Sequence, residues 1–111
     1  MAKLDPKDLV AQMVGAAVGV LKGQWAKAKE YAQPEFEKLA AIAVDIEAKK
    51  LAGKIAEDEA RILMKMEKNA FDTVVLTLKD EGVIAAEAAI NAALSVAAGI
   101  VNTALGWHLL G

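Results

Sequence analysis

Side chains able to do acid–base or metal chemistry are few and scattered in this sequence. The chain has 111 residues, one histidine and no cysteine, which excludes thiol nucleophiles, disulfide frameworks and cysteine zinc sites. His108 has no acidic residue near it in sequence, and Ser95, the single serine, lies in an apolar run. A Ser-His-Asp site and a di-iron bundle with paired Glu-x-x-His motifs are therefore both improbable. We predict a non-enzymatic protein with no metal ion and no cofactor.

The acidic residues of the middle region alternate with basic ones. Four carboxylates stand at helical neighbour distances from four basic side chains: Glu57, Asp58, Glu59 and Glu67, with Lys54, Arg61, Lys65 and Lys68. Such spacing is typical of solvated ion pairs on a helix surface. The net charge is −2, so there is no electrostatic reason to expect a nucleic acid as partner.

Small residues at a spacing of four form the most informative pattern. Gly15, Gly19 and Gly23 follow one another on a predicted helix, where each glycine costs about 1 kcal/mol relative to alanine. Close approach of another helix backbone is the usual benefit that offsets this cost. The last segment carries a matching series at Ser95, Gly99 and Thr103. We predict that both series are helix-packing or oligomerisation surfaces.

Two asparagines accompany the second series. Asn91 and Asn102 lie eleven residues apart and therefore nearly on one helix face. Their amides either bond across a helix interface and fix its register, or face water and bind local backbone groups. The sequence leaves both alternatives open, and we include the two residues in the predicted oligomerisation set.

These residues must be positioned by helices, because apolar residues make up 56% of the chain and aromatic residues only 5%. Asp5 and Pro6 suit a helix start, Pro34 disfavours helix at Gln33, and Gly82 suits a left-handed helix end. We predict one all-α domain over 1–111, a bundle of three long helices at about 5–32, 34–80 and 83–109. A break of the middle helix near Gly53 is the alternative.

An eleven-residue repeat favours the unbroken middle helix. Apolar residues and threonines recur there in alternating steps of four and seven, at Ala40, Val44, Leu51, Ile55, Ile62, Met66, Thr73 and Thr77. Eleven residues fill three helical turns almost evenly, so the repeat would form one nearly straight stripe along a continuous helix.

The last segment also raises the question of membrane contact. Residues 88–111 carry no charge and exceed the ~20 residues that a bilayer span needs. Trp107 and His108 near its end resemble an interfacial anchor, and Trp25 beside Lys27 could contact headgroups or simply end a helix. However, most of the apolar character comes from alanine, and the asparagines are costly in lipid. A lipid bilayer is therefore an expected partner only as an alternative to protein.

Taken together, the pattern predicts a non-enzymatic, self-assembling structural protein that forms a homo-oligomer through its apolar, small-residue helices. In composition, with alanine-rich segments around a charged helix, the chain resembles small helical proteins of bacteriophage virions and lysis systems. A membrane-inserting pore or holin-like protein is the alternative, and a soluble helical adaptor is the second. Mixed charges at Lys3, Asp5 and Lys7 argue against a signal peptide. The sequence leaves the location open between the cytoplasm and a virion, with membrane contact as an alternative for either.

Overall fold

A computed structural model describes residues 4–110 of the chain. It contains four α-helices, α1 (Pro6–Leu21), α2 (Trp25–Leu51), α3 (Glu57–Asp80) and α4 (Ala86–Leu105), with a 3-10 turn at Lys22–Gln24. The described residues include no strand. The predicted all-α class is confirmed, although the bundle has four helices rather than three.

Contacts at one end of the bundle show how the helices are ordered. The amide of Leu4, before α1, donates to both carboxylate oxygens of Glu47 near the end of α2, at 3.1 Å each. Lys50 donates to the carbonyl of Leu105 at the end of α4. Arg61, at the start of α3, donates to the His108 carbonyl at 3.2 Å.

The opposite end is closed by a second set of contacts. The Tyr31 hydroxyl donates to Glu81 at 2.6 Å, and the Ile84 amide donates to the Gln24 side chain at 3.0 Å. Successive helices therefore run antiparallel, in up-down-up-down order, in a bundle of 45 × 23 × 19 Å.

The boundary between the first two helices differs from the prediction. α1 ends at Leu21, where Lys22 takes a φ of 53°, and the next helix begins at Trp25. The predicted helix 5–32 and its stop before Pro34 are wrong, because α2 continues through that proline. A proline inside a helix costs about 3 kcal/mol or more. The buried residues on both sides of it, Ala32 and Phe36, belong to one continuous core stripe that offsets this cost.

The middle of the chain follows the alternative prediction. α2 ends at Leu51, Gly53 takes a φ of 69°, and α3 begins at Glu57. The unbroken helix 34–80 is therefore wrong. Because the chain folds back, the eleven-residue repeat does not form one stripe: Ala40 is buried, whereas Ile62 is exposed on the outside of α3.

Helix ends are set by local chemistry. Asp5 caps α1 by accepting from the amides of Lys7 and Asp8 at 3.0 and 3.3 Å, and Gly82 has the predicted positive φ, 81°. The last helix ends earlier than the predicted residue 109, because Gly106 takes a φ of 69° there.

The core changes in character from one side of the bundle to the other. α1 makes its most extensive contact with α4, through small and medium side chains that are buried on both helices: Leu9, Met13, Ala17, Ala89, Ala93, Ala97 and Val101. Between α2 and α3 the core is aromatic, with ring centroids of Phe36 and Phe71 5.8 Å apart. Alanine side chains let the first pair approach closely, and the phenylalanines fill the second interface.

Candidate self-association surface

The outer sides of α1 and α4 form a surface without charge. Neither helix carries a charged residue over 9–21 or 88–105. The exposed residues of these two ranges are Ala11, Gln12, Gly15, Gly19, Val20, Ala88, Asn91, Ser95, Gly99 and Thr103, and we call this set the uncharged face. An apolar groove lined by Val10, Val14 and Val44 adjoins it between α1 and α2.

The glycines of the uncharged face are not used for packing inside the subunit. A Cβ atom built at Gly15, Gly19 or Gly99 meets no neighbouring heavy atom within 4 Å. All three are exposed, and the contact between α1 and α4 is made by other residues, such as Ala17 and Ala93. The described fold therefore gives no reason for glycine at these positions.

Gly23 does not belong to the same row. It is exposed but lies in the 3-10 turn Lys22–Gln24, after the end of α1. The predicted series of three glycines on one helix is therefore reduced to Gly15 and Gly19, because the chain changes direction at Lys22.

The two asparagines have different surroundings. Asn91 is exposed on α4. Asn102 is half-buried, and its side chain accepts from the amides of Leu109 and Leu110 at 2.8 and 3.2 Å and donates to the Leu110 carbonyl at 2.8 Å. Of the alternatives weighed from sequence, Asn102 follows the local one, since its amide holds the C-terminal segment of its own chain.

The three residues predicted for a membrane interface also make contacts within the subunit. Trp25 stacks on Phe36 with ring centroids 6.2 Å apart. The Lys50 ammonium lies 4.5 Å from the ring centroid of Trp107, a cation–π distance. His108 is exposed, and the bond to its carbonyl helps to hold the C-terminal segment.

α4 is apolar in overall composition, but the residues that it exposes away from the core over 88–105 are small and mostly polar, namely Ala88, Asn91, Ser95, Gly99 and Thr103. Among the described helices it is the one long and apolar enough to cross a membrane, judged by length and composition only. One third of its most apolar stretch is buried in the bundle (33%). The remaining surface of α4 is available to a protein or lipid neighbour.

Most of the acidic residues in the middle region are solvated, as predicted. Glu57 and Asp58 pair with Arg61 at 2.8 and 3.3 Å, and Glu59 accepts from the amide of the residue before α3. Glu67 is the exception, because it is 5% exposed. The prediction of a solvated ion pair is wrong for this residue. The position of Glu67 in the sequence could have indicated its burial, because Glu67 lies on the same face of α3 as the buried residues Met64, Phe71 and Val74.

Glu67 forms an acidic pair with Glu35 across the interface of α2 and α3. Burial, followed by the hydrogen bond to Glu35 and the charge of that residue, raises the pKa of Glu67 to about 7, against a smaller opposing effect of Lys38. One buried oxygen of each carboxyl group, Oε2 of Glu35 and Oε1 of Glu67, has no hydrogen-bond partner among the described residues. A proton held by the pair gives one carboxyl group a hydrogen to donate to the other.

The described residues contain no cluster of three or more acidic or histidine side chains arranged for a metal ion. The pair of Glu35 and Glu67 brings together two carboxyl groups, of which Glu67 is buried and Glu35 is half-buried. Outside the core, the described residues form the uncharged face and the groove beside it. No protein family matches this chain, and no curated protein or solved structure is detectably similar to it.

Proposed function

We propose that this protein is a non-enzymatic structural protein that assembles with copies of itself through the uncharged face. The observation that carries the proposal is the open space above Gly15, Gly19 and Gly99 on an exposed surface without charge. The product is a homo-oligomer, of the kind that builds a virion or a comparable assembly.

The glycines of α1 destabilise their own helix. Gly15 and Gly19 lie inside α1, where each destabilises the helix by about 1 kcal/mol relative to alanine. Nothing inside the described subunit offsets that cost, since neither residue is approached by another helix. A helix of a second copy lying across these glycines would reach the backbone closely and gain packing contacts that a larger residue would block.

Gly19→Leu tests the proposal without endangering the fold. A side chain at this position enters open space, and leucine forms helix better than glycine. The substitution is therefore expected to raise the melting temperature of the subunit while lowering the mass of the assembly in sedimentation velocity over a concentration series. Ala48→Leu, at an exposed site of α2, is the matched control and should leave the mass unchanged. Equal masses for the wild type and both variants would contradict assembly through this face.

Membrane insertion is the second candidate function, and the length and overall apolar composition of α4 favour it. Insertion would require α4 to leave its contact with α1, or to carry α1 with it into the bilayer. Flotation of the full chain with vesicles of phosphatidylcholine and phosphatidylglycerol separates the candidates. Protein that floats with the vesicles supports insertion, and protein that stays in the dense fraction without detergent contradicts it.

A further inference from the structure

α3 has a second apolar stripe that the bundle does not use. Its core stripe follows alternating steps of four and three, at Ala60, Met64, Glu67, Phe71, Val74 and Leu78, all buried. Two residues further along, a set with the same steps lies on the opposite side of the helix: Ile62, Met66, Asn69, Thr73 and Leu76. We call this set the outer stripe.

The outer stripe exposes large side chains to solvent. Ile62, Met66 and Leu76 are 60%, 64% and 63% exposed. Alternating steps of four and three are the spacing by which two helices pack along a common seam, and a single polar residue such as Asn69 within the seam sets its register. The outer stripe therefore has the pattern of a helix-pairing surface, and the charges beside it indicate the partner.

One flank of the outer stripe carries charges of alternating sign. Asp58, Lys65, Asp72 and Lys79 follow one another at seven-residue intervals, and we call them the charged row. The other flank has uncharged residues at the same intervals: Leu63, Ala70 and Thr77. In a parallel pair, each charged row would face the uncharged flank of its partner, whereas in an antiparallel pair the two charged rows face each other.

In the antiparallel arrangement, every residue of the charged row lies opposite a residue of the other sign on the second copy. With two copies of α3 related by a twofold axis near its middle, Asp58 lies opposite Lys79, and Lys65 lies opposite Asp72. Each pair occurs twice, so four opposite-sign pairs form. The same register places Met66 against Asn69 and Ile62 against Thr73 in the seam. Other offsets along the heptad lose one or more of these pairs or bring like charges together.

We propose that the outer stripe of α3 is an antiparallel docking surface for the α3 helix of a second copy of this chain. This docking surface goes beyond the proposed function, because the outer stripe lies on a different side of the bundle from the uncharged face. Two separate faces that each pair with themselves build an assembly larger than a dimer, either a closed dihedral oligomer or an open chain of alternating contacts. In both cases, blocking either face leaves dimers held by the other.

The residues of the charged row are free to change partners. Lys79 lies 3.5 Å from Glu87, and Asp58 lies 3.3 Å from Arg61, but these pairs are solvent-exposed and contribute little to the fold. Lys65 and Asp72 are exposed and have no ion pair within residues 4–110. Substitutions at these last two positions therefore test the docking surface without disturbing the subunit.

The experiment is a charge reversal and its restoration, measured in full chains that carry Gly19→Leu so that the uncharged face is blocked. Sedimentation equilibrium should show dimers for Gly19→Leu alone. Adding Lys65→Glu, or adding Asp72→Lys, should weaken the dimer at least about tenfold, since each creates two like-charge contacts. Combining Lys65→Glu with Asp72→Lys should restore the dimer, because the signs match again.

A restored dimer is specific to antiparallel pairing of identical helices. If Lys65→Glu leaves the dimer unchanged, or if the double reversal fails to restore it, the proposal is overturned. Circular dichroism checks that each variant keeps its helix content and melting temperature. Failure of the two proposals is distinguishable: an assembly that ignores Gly19→Leu but responds to Lys65→Glu contradicts the uncharged face and supports the α3 seam.

Discussion

The α1–α4 pair packs through small buried side chains, whereas the α2–α3 pair packs through aromatic ones. The backbones of α1 and α4 are in contact over more residues than those of α2 and α3, although α2 and α3 are the longer helices. Alanines such as Ala93 and Ala97 permit that approach, whereas Phe36 and Phe71 fill the space between α2 and α3. In this bundle, the more extensive helix contact therefore accompanies the smaller buried side chains.

The difference continues on the outside of each pair. α1 and α4 present small residues without charge, and α2 and α3 present ion pairs such as that of Lys49 with Asp45 at 3.0 Å. The aromatic interface also admits the acidic pair of Glu35 and Glu67, which has no counterpart among the uncharged residues of the other pair. We therefore expect the stability of the subunit to respond differently on the two sides to changes of side-chain volume, pH and helix propensity.

The largest loss of stability is expected at the interface of α2 and α3, which depends on large aromatic side chains. Phe71→Ala removes a ring that is 1% exposed and should destabilise the subunit by about 3–5 kcal/mol. Urea unfolding followed by circular dichroism measures it. Leu51→Ala, at a residue 63% exposed, is the control. A loss below about 1 kcal/mol for Phe71→Ala would show that the aromatic interface is not a major source of stability.

On the α1–α4 side, the sensitivity should be to added volume. Ala93→Leu inserts methyl groups at a residue that is fully buried, and overpacking of this kind costs about 1–3 kcal/mol. The same unfolding experiment applies, with Ala48→Leu as the matched control. An unchanged free energy of unfolding would mean that α1 and α4 are not closely packed through their alanines.

The acidic pair should make stability depend on pH. The pKa of Glu67 is raised from 4.5 to about 7 in the fold, so its folded form holds a proton more tightly than its unfolded form. The stability that Glu67 contributes is therefore fully present below about pH 4.5 and is lost as pH rises through about 7. Glu67→Gln should remove this dependence and, at pH 8, raise the free energy of unfolding by roughly 1–3 kcal/mol.

Urea unfolding of the wild type and Glu67→Gln at a series of pH values tests the acidic pair. Glu37→Gln, at an exposed residue of α2, serves as the control and should follow the wild type. Parallel curves for the wild type and Glu67→Gln across this range would disprove the shared-proton arrangement.

The smallest effect concerns the glycines of the uncharged face. Gly15→Ala adds one methyl group in open space and should stabilise α1 by about 1 kcal/mol through helix propensity. Thermal unfolding at low protein concentration measures this gain in the isolated subunit. A loss of stability would reveal a close contact at Gly15 inside the subunit and remove the reason for placing a second copy there.

Several features of the fold could be predicted because they depend on neighbouring residues in sequence. Asp5 caps α1 since its carboxylate reaches amides two and three residues later, and Gly82 adopts a positive φ at low steric cost. The helix break at Gly53 was an open alternative for the same reason. The continuation of α2 through Pro34 could not be predicted, because the buried stripe that offsets the cost is defined by other helices.

For the candidate surface, the sequence identified the glycine and serine positions but not their surroundings. Gly15, Gly19, Ser95 and Gly99 were predicted to pack against helices, and only the structure shows that no helix within residues 4–110 covers them. The burial of Glu67 likewise required the position of α2. Such features depend on contacts between residues far apart in sequence, and local spacing constrains these only weakly.

The sequence by itself determined that the protein is helical, that the segments 9–21 and 88–111 carry no charge and that most acidic and basic residues lie between them. Those properties follow from composition and helical period, which are local. The tertiary structure decided which of two apolar stripes on α3 enters the core and which side of α1 remains open. Each helix can bury only the side that its neighbours cover, and the order in which four helices pack determines that side.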